Sequence, residues 1–232
     1  MLPSNVHRYL ATLQQRGFVK QEHASGQYDL GPAALALGTH AMRRLDQHDV
    51  VLKGARALST TIDASIWVAV WVEDAPVIVS VHDRGGAGHL TARVGARISA
   101  VYSPIGRVFL ACQDDATAER LWKLEYRVDA PPQAEGRILD FRQFLNVLKD
   151  IRERDGLARV RNGMANGFSG VAAPVFDMWG KIAFVVAAVG EAYELDVAWS
   201  SRIATELKRS TTRMSQRLGF GLADGTVSKA AL

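Results

Sequence analysis

The apolar positions near the N-terminus first recur at helical spacing and then give way to the alternation of a hairpin. Val6, Leu10 and Leu13 line one side of a segment opened by Pro3 and Ser4 and closed by Gly17, which predicts a capped helix over 3–16. Phe18-Val19-Lys20 and Gln27-Tyr28-Asp29-Leu30, joined through a Ser25-Gly26 tip, predict a short two-stranded hairpin. Gly31-Pro32 restarts the chain. The Ala/Leu-rich run 33–45 then predicts a linker helix, and a further helix is expected over about 50–62.

From Ser65 the period becomes that of strands. Ile66 to Val72 is almost wholly apolar, and 76–81 returns after a Glu73-Asp74-Ala75 turn, which predicts a hairpin buried on both faces. A glycine loop at 84–88 follows, and 95–104 leads into a helix over 105–112. Pro131, Pro132 and Gly136 mark a surface crossing, after which Ile138, Phe141, Leu145, Leu148 and Ile151 form an amphipathic stripe. Strands are expected at 157–161, 170–176 and 182–189, a last helix over 195–218, and a frayed tail from Gly219. The fold class is therefore α+β. Residues 1–31 form a helix-plus-hairpin unit, 32–48 a linker helix, 49–219 an antiparallel sheet domain flanked by helices, and 220–232 a flexible tail.

Composition adds limits rather than a function. The chain is 48% hydrophobic and 22% charged, as expected of a packed globular protein. Cys112 is the one cysteine, so an intrachain disulfide is excluded and a reducing compartment fits. The opening MLPSNVHRYL is no signal peptide, and no apolar run approaches the roughly 18 residues of a membrane span. A cytoplasmic protein without a membrane partner is expected. The net charge of +4 is compatible with nucleic acid but decides nothing, since residues 1–30 carry Arg8, Arg16 and Lys20 against Glu22 and Asp29.

Placement says more. A capped helix followed by a hairpin is the second half of a winged helix-turn-helix, in which the helix enters the major groove and the hairpin reaches the backbone beside it. The face opposite the apolar stripe carries Asn5, Arg8 and Thr12, with His7 at its margin, and Ser4 at the helix N-terminus suits a phosphate. Lys20 on the hairpin joins this set. A plain surface helix with a polar face fits the same pattern.

Chemistry is not legible. Cys112 lies in the apolar run Arg107-Val108-Phe109-Leu110-Ala111-Cys112 and reads as an inert small hydrophobe. His82, Asp83 and His89 follow no metal-ligand spacing, and GMANGFSG at 163–170 lacks the ending of a phosphate loop. No nucleophile elbow appears, and Trp67 and Trp71 share one strand face as core residues. No catalytic residue, metal or cofactor is expected.

The run LPSNVHRYLATLQQRGFVKQEHASGQYDLGPAALALG resembles the recognition helix, wing and linker start of IclR-type transcriptional regulators. The resemblance rests on Leu2-Pro3-Ser4-Asn5, Arg8, Leu10, Leu13, Gly17-Phe18-Val19 and Tyr28-Asp29-Leu30-Gly31. It continues at Val94-Gly95, Gly106-Arg107, Leu110-Ala111, Gly156 and Ala172-Ala173-Pro174-Val175-Phe176-Asp177. It implies a partial winged helix-turn-helix and a GAF-like effector domain. Members of the family carry two more helices ahead of the recognition helix, so the true start is expected upstream of Met1. The implied partners are a double-stranded DNA operator, bound if those helices are present, a small organic effector, and further copies of the chain in a homodimer or dimer of dimers. The implied role is control of catabolic genes.

The resemblance also implies effector positions: Leu90, Ile98, Pro104, Ile105, Val160, Gly170, Ala187 and Val189. Relatives that sense very small oxo-acids hold an Asp, a Cys and two Ser where Val160, Gly170, Ala187 and Val189 stand. An apolar lining disfavours desolvated polar ligands, so an aromatic or otherwise apolar-bodied acid is expected, with Arg161 or Arg97 as candidates for its carboxylate. The same positions also suit plain core packing. A stand-alone sensor without DNA binding is the alternative, and an enzyme would need a reactive polar pair that this lining lacks.

Overall fold

The computed structural model describes residues 3–22, 25–37, 47–83, 93–125, 140–164 and 167–221, and these form two compact units, 1–47 and 48–232.

In the first unit, helix α1 (Pro3–Gln15) stops at Gly17, whose φ of 71° is the left-handed conformation that ends helices. The Phe18 amide reaches back to the Leu13 carbonyl at 2.8 Å, closing the last turn. Strands β1 (Val19–Gln21) and β2 (Tyr28–Leu30) pair antiparallel, and the tip is tied by the Gly26 amide donating to Glu22 O at 2.8 Å. Gly31 leaves the hairpin hard against α1's end: a Cβ there would lie 2.2 Å from Gly17 O, so only glycine fits. Helical residues follow at 32–37; the rest of the predicted linker helix lies outside the described residues.

The second unit is a five-stranded antiparallel sheet in the order β4-β3-β7-β6-β5, with β3 (Ser65–Val72), β4 (Ala75–His82), β5 (Ala158–Met164), β6 (Phe168–Phe176) and β7 (Ile182–Glu191). All nine residues of β6 are buried, which requires cover on both faces. On one face lie α3 (Pro104–Ala111), α4 (Asp115–Glu125) and α5 (Phe141–Glu153), whose Phe109, Leu110, Leu121, Phe144 and Leu148 share a core with Trp67, Ala172, Val185 and Ala187. On the other, α2 (Gln47–Thr61) and α6 (Arg202–Arg217) meet so closely that a Cβ at Gly54 would lie 2.6 Å from Met214.

Several expectations need correction. Helix α2 begins at Gln47, earlier than the pattern suggested, with Asp49 in its first turn and a Lys53–Asp49 pair one turn on at 2.7 Å. The β3–β4 hairpin is not buried on both faces, because β4 is an edge strand and is mostly half-buried. Helix α4 has no counterpart in the apolar pattern; its signal is Asp114, whose carboxylate accepts from the Thr117 amide at 2.7 Å. The last helix starts at Arg202 rather than 195. Asp196 turns the chain by accepting from the Ala198 amide, and Ser201 then caps α6 through the Ala204 amide at 3.1 Å. Gly219 does not begin a frayed tail, since Phe220 stacks on Phe176 with ring centroids 5.0 Å apart. Residues from 222 on lie outside the described set.

Candidate nucleic-acid interface and ligand-binding face

Ser4 and Asn5 stand in the first turn of α1, and His7, Arg8 and Thr12 are exposed on the turns that follow. The Thr12 hydroxyl donates back to Arg8 O at 2.9 Å, while the Arg8 guanidinium lies 6.0 Å from the centre of the Tyr9 ring. Lys20, on β1, faces Asp29 across the hairpin at 3.4 Å, both in solvent. Backbone donation from Leu30, then Lys20, holds the Asp29 carboxyl below its ordinary range. The unit thus presents its polar helix face and its wing cation to solvent. Its apolar side is also open: Val6 and Leu13 are each 41% exposed.

Four of the proposed effector positions, Val160, Gly170, Ala187 and Val189, share one face of the sheet. Val160, Gly170 and Val189 are direct register partners across β5, β6 and β7. Two residues along, Ala158, Ala172, Ala187 and Trp67 form a parallel row that extends onto β3. Side chains of both rows point the same way because strand residues two apart share a face. Ile105, from the first turn of α3, is packed into the same core as Ala187, Val189 and Trp67. Pro104 is buried beside it, and Ile98 is half-buried against that core. Leu90 lies outside the described residues. The seven described positions are thus packed in protein.

One polar atom is left over there. Trp67 is 4% exposed, and its indole N–H finds no hydrogen-bond partner among the described residues. A buried donor left unsatisfied costs about 1–3 kcal/mol. From the sequence Trp67 was a core residue only; its orphaned N–H is visible solely in three dimensions.

Two cavities lie elsewhere, and none of the seven described positions lines either. One, of about 710 Å³, runs between the end of α5 and α6, where Lys208 pairs with Asp155 at 2.7 Å. The other, of about 320 Å³, lies at the β5 edge of the sheet and is bordered by Arg107, Arg159, Arg161, Asp150 and Trp199. Burial pulls the Arg107 guanidinium down to about 10, with nearby Tyr102 opposing, so it stays charged at neutral pH. The sequence signal for Arg107 was a lone cation inside the apolar run Pro104–Ala111, all of which is buried. Of the two carboxylate receivers expected, Arg97 is engaged by Glu73 at 3.3 Å, and Arg161 borders the smaller cavity.

Burial pushes the Cys112 thiol up to about 12 despite Arg152 nearby, so it is a poor nucleophile. Burial and, to a lesser degree, Arg56 lower His82, whose ring contacts the Ser80 hydroxyl at 3.3 Å; Asp83 accepts from Ser65, and His89 lies outside the described residues. Among the described residues no three metal-binding side chains cluster, and no helix is long and apolar enough to cross a membrane.

Comparison with known proteins supplies a family. The sequence model for "Bacterial transcriptional regulator IclR C-terminal" matches residues 39–216, and that for "IclR helix-turn-helix domain" matches residues 1–23. The chain is similar to the DNA-binding transcriptional repressor YiaJ of Escherichia coli (strain K12), at 24% identity over 95% of this chain and 78% of that protein. It is 31% identical to the glycerol operon regulatory protein of Streptomyces coelicolor, over 74% of this chain and 65% of the relative. Among solved structures, Pseudomonas aeruginosa HmgR superposes with a TM-score of 0.83 at 28% identity, covering 97% of this chain and 87% of HmgR.

Proposed function

Because this chain belongs to the IclR family of bacterial transcriptional regulators, we propose that it is a ligand-responsive DNA-binding regulator whose effector is an apolar-bodied organic acid. The observation that carries this reading is the double row of apolar positions facing α3, with the Trp67 N–H, which has no partner among the described residues, as a polar handle. An aromatic acid matches that chemistry: its ring replaces apolar contacts, and one oxygen accepts from Trp67. Leu90, Ile98, Pro104, Ile105, Val160, Gly170, Ala187 and Val189 form its surroundings in this proposal. A very small oxo-acid would find no matching polar lining. The name of the glycerol operon relative supports control of catabolic genes.

DNA is bound through α1 and the wing, by Ser4, Asn5, His7, Arg8, Thr12 and Lys20. Specificity over a useful length of DNA needs paired half-sites, which a homodimer or dimer of dimers joined through the linker helix supplies. The effector acts by favouring one of two arrangements of the DNA-binding ends.

Two titrations test these readings. Fluorescence anisotropy with DNA from the intergenic region beside the gene, at two salt concentrations, should give specific binding that Arg8→Ala weakens by about 10-fold or more. No specific binding by the wild type would leave the sensor reading. Thermal unfolding with benzoate and with glyoxylate should give the larger shift for benzoate, reduced in Trp67→Phe. A preference for glyoxylate would sink the effector reading.

A further inference from the structure

At the open β5 edge of the sheet, Arg107 departs from how proteins usually bury a cation. It is only 6% exposed, and its Nε donates to Val101 O at 2.8 Å. Its two terminal nitrogens have no partner among the described residues, and no carboxylate there lies within salt-bridge distance. Buried charges are ordinarily paired, because an uncompensated one loses its hydration without return. The terminal nitrogens are not sealed in protein, and Arg107 borders the cavity of about 320 Å³.

The other walls sharpen the chemistry. Arg159 and Arg161 bring two more guanidiniums from β5, against the single carboxylate of Asp150 from α5. Arg159 lies 4.4 Å from the centre of the Trp199 ring and donates to Val197 O at 3.3 Å, which fixes its position. Val147 and Ile151 supply an apolar floor. The volume lies at the small end of ligand sites, and among the described lining residues three cations stand beside one carboxylate.

We propose that this edge cavity is a binding site for a small oxyanion, the carboxylate or phosphate group of a metabolite, held by Arg107 and Arg161 and separate from the effector face. The planar fork of Arg107 takes two oxygens of such a group side by side. The anion then supplies a counter-charge that Arg107 does not find among the described residues.

Thermal unfolding at constant ionic strength tests the site, using malonate, inorganic phosphate and chloride as probes. The wild type should gain on the order of 3 °C with malonate or phosphate over chloride. A larger gain with malonate assigns the site to carboxylates, and a larger gain with phosphate assigns it to phosphate esters. The gain should vanish in Arg107→Met and fall by at least half in Arg161→Gln. It should persist in Arg97→Gln, which removes a cation outside the cavity, and in Trp67→Phe, which alters only the effector face. Should Arg107→Met fail to fold, the exposed Arg161→Gln decides alone. The proposal is overturned if neither anion exceeds chloride, if Arg161→Gln keeps the full gain, or if Arg97→Gln reduces it equally.

Discussion

Gly106 sits where α3 comes down on the preceding loop. A Cβ there would lie 2.3 Å from Ala100 Cα and 2.4 Å from the carbonyl oxygens of Ser99 and Ala100, so backbone rather than a movable side chain would have to give. Gly106→Ala should therefore cost about 1–3 kcal/mol in urea unfolding, although alanine is the better helix former. Gly95, with open space around its Cβ direction, makes the control: Gly95→Ala meets only the penalty of its φ of 88°. Residues such as these, and Trp67 and Arg107, mark the limit of sequence reading. Their types are visible in the chain, but whether the Trp67 N–H and the Arg107 guanidinium find partners depends on which atoms the fold brings near them.

At the scale of elements, the loop into α3 is held by one carboxylate from another helix. Glu125, the last residue of α4, accepts from the amides of Ala100 at 2.9 Å and Val101 at 3.1 Å and from the Ser99 hydroxyl. Ser99 in turn accepts from the Tyr102 amide at 2.7 Å, and Ser103 caps α3 by accepting from the Gly106 amide at 2.9 Å. Glu125→Ala strands several partly buried donors at once, whereas Ser103→Ala removes one cap. The first should cost about 1–3 kcal/mol and the second about 1 kcal/mol, read from urea midpoints at unchanged slope. The elements with strong periodicity, α1, the wing, α5 and β7, were readable from the sequence. Helix α4 was not, because Ala118 and Leu121 are its only buried residues among the described ones and make too thin a stripe. The strand status of β4 was misjudged for a related reason: an apolar run does not say whether its sheet continues beyond it.

At the scale of the molecule, the two units differ sharply in how much they bury. Of the described residues 6–37, Gly31 alone is buried, whereas β6 and β7 carry long runs of buried positions. Hydrogen exchange should therefore be fast in α1 and the wing and slowest in β6 and β7, with protection in α1 rising when operator DNA is added. Equal protection in both units would contradict this picture. The sequence by itself determined the α+β class, the helix-plus-hairpin end and the polar face of α1, because these follow from residue spacing along the chain, and it showed the family through resemblance. The apolar lining of the proposed effector face was also legible, though only through resemblance. The tertiary structure decided the alignment of Val160, Gly170 and Val189 in one row, and left the Trp67 N–H and the terminal nitrogens of Arg107 without partners among the described residues. Each joins residues far apart in the chain, and whether a buried polar atom has a partner depends on distances that only packing sets.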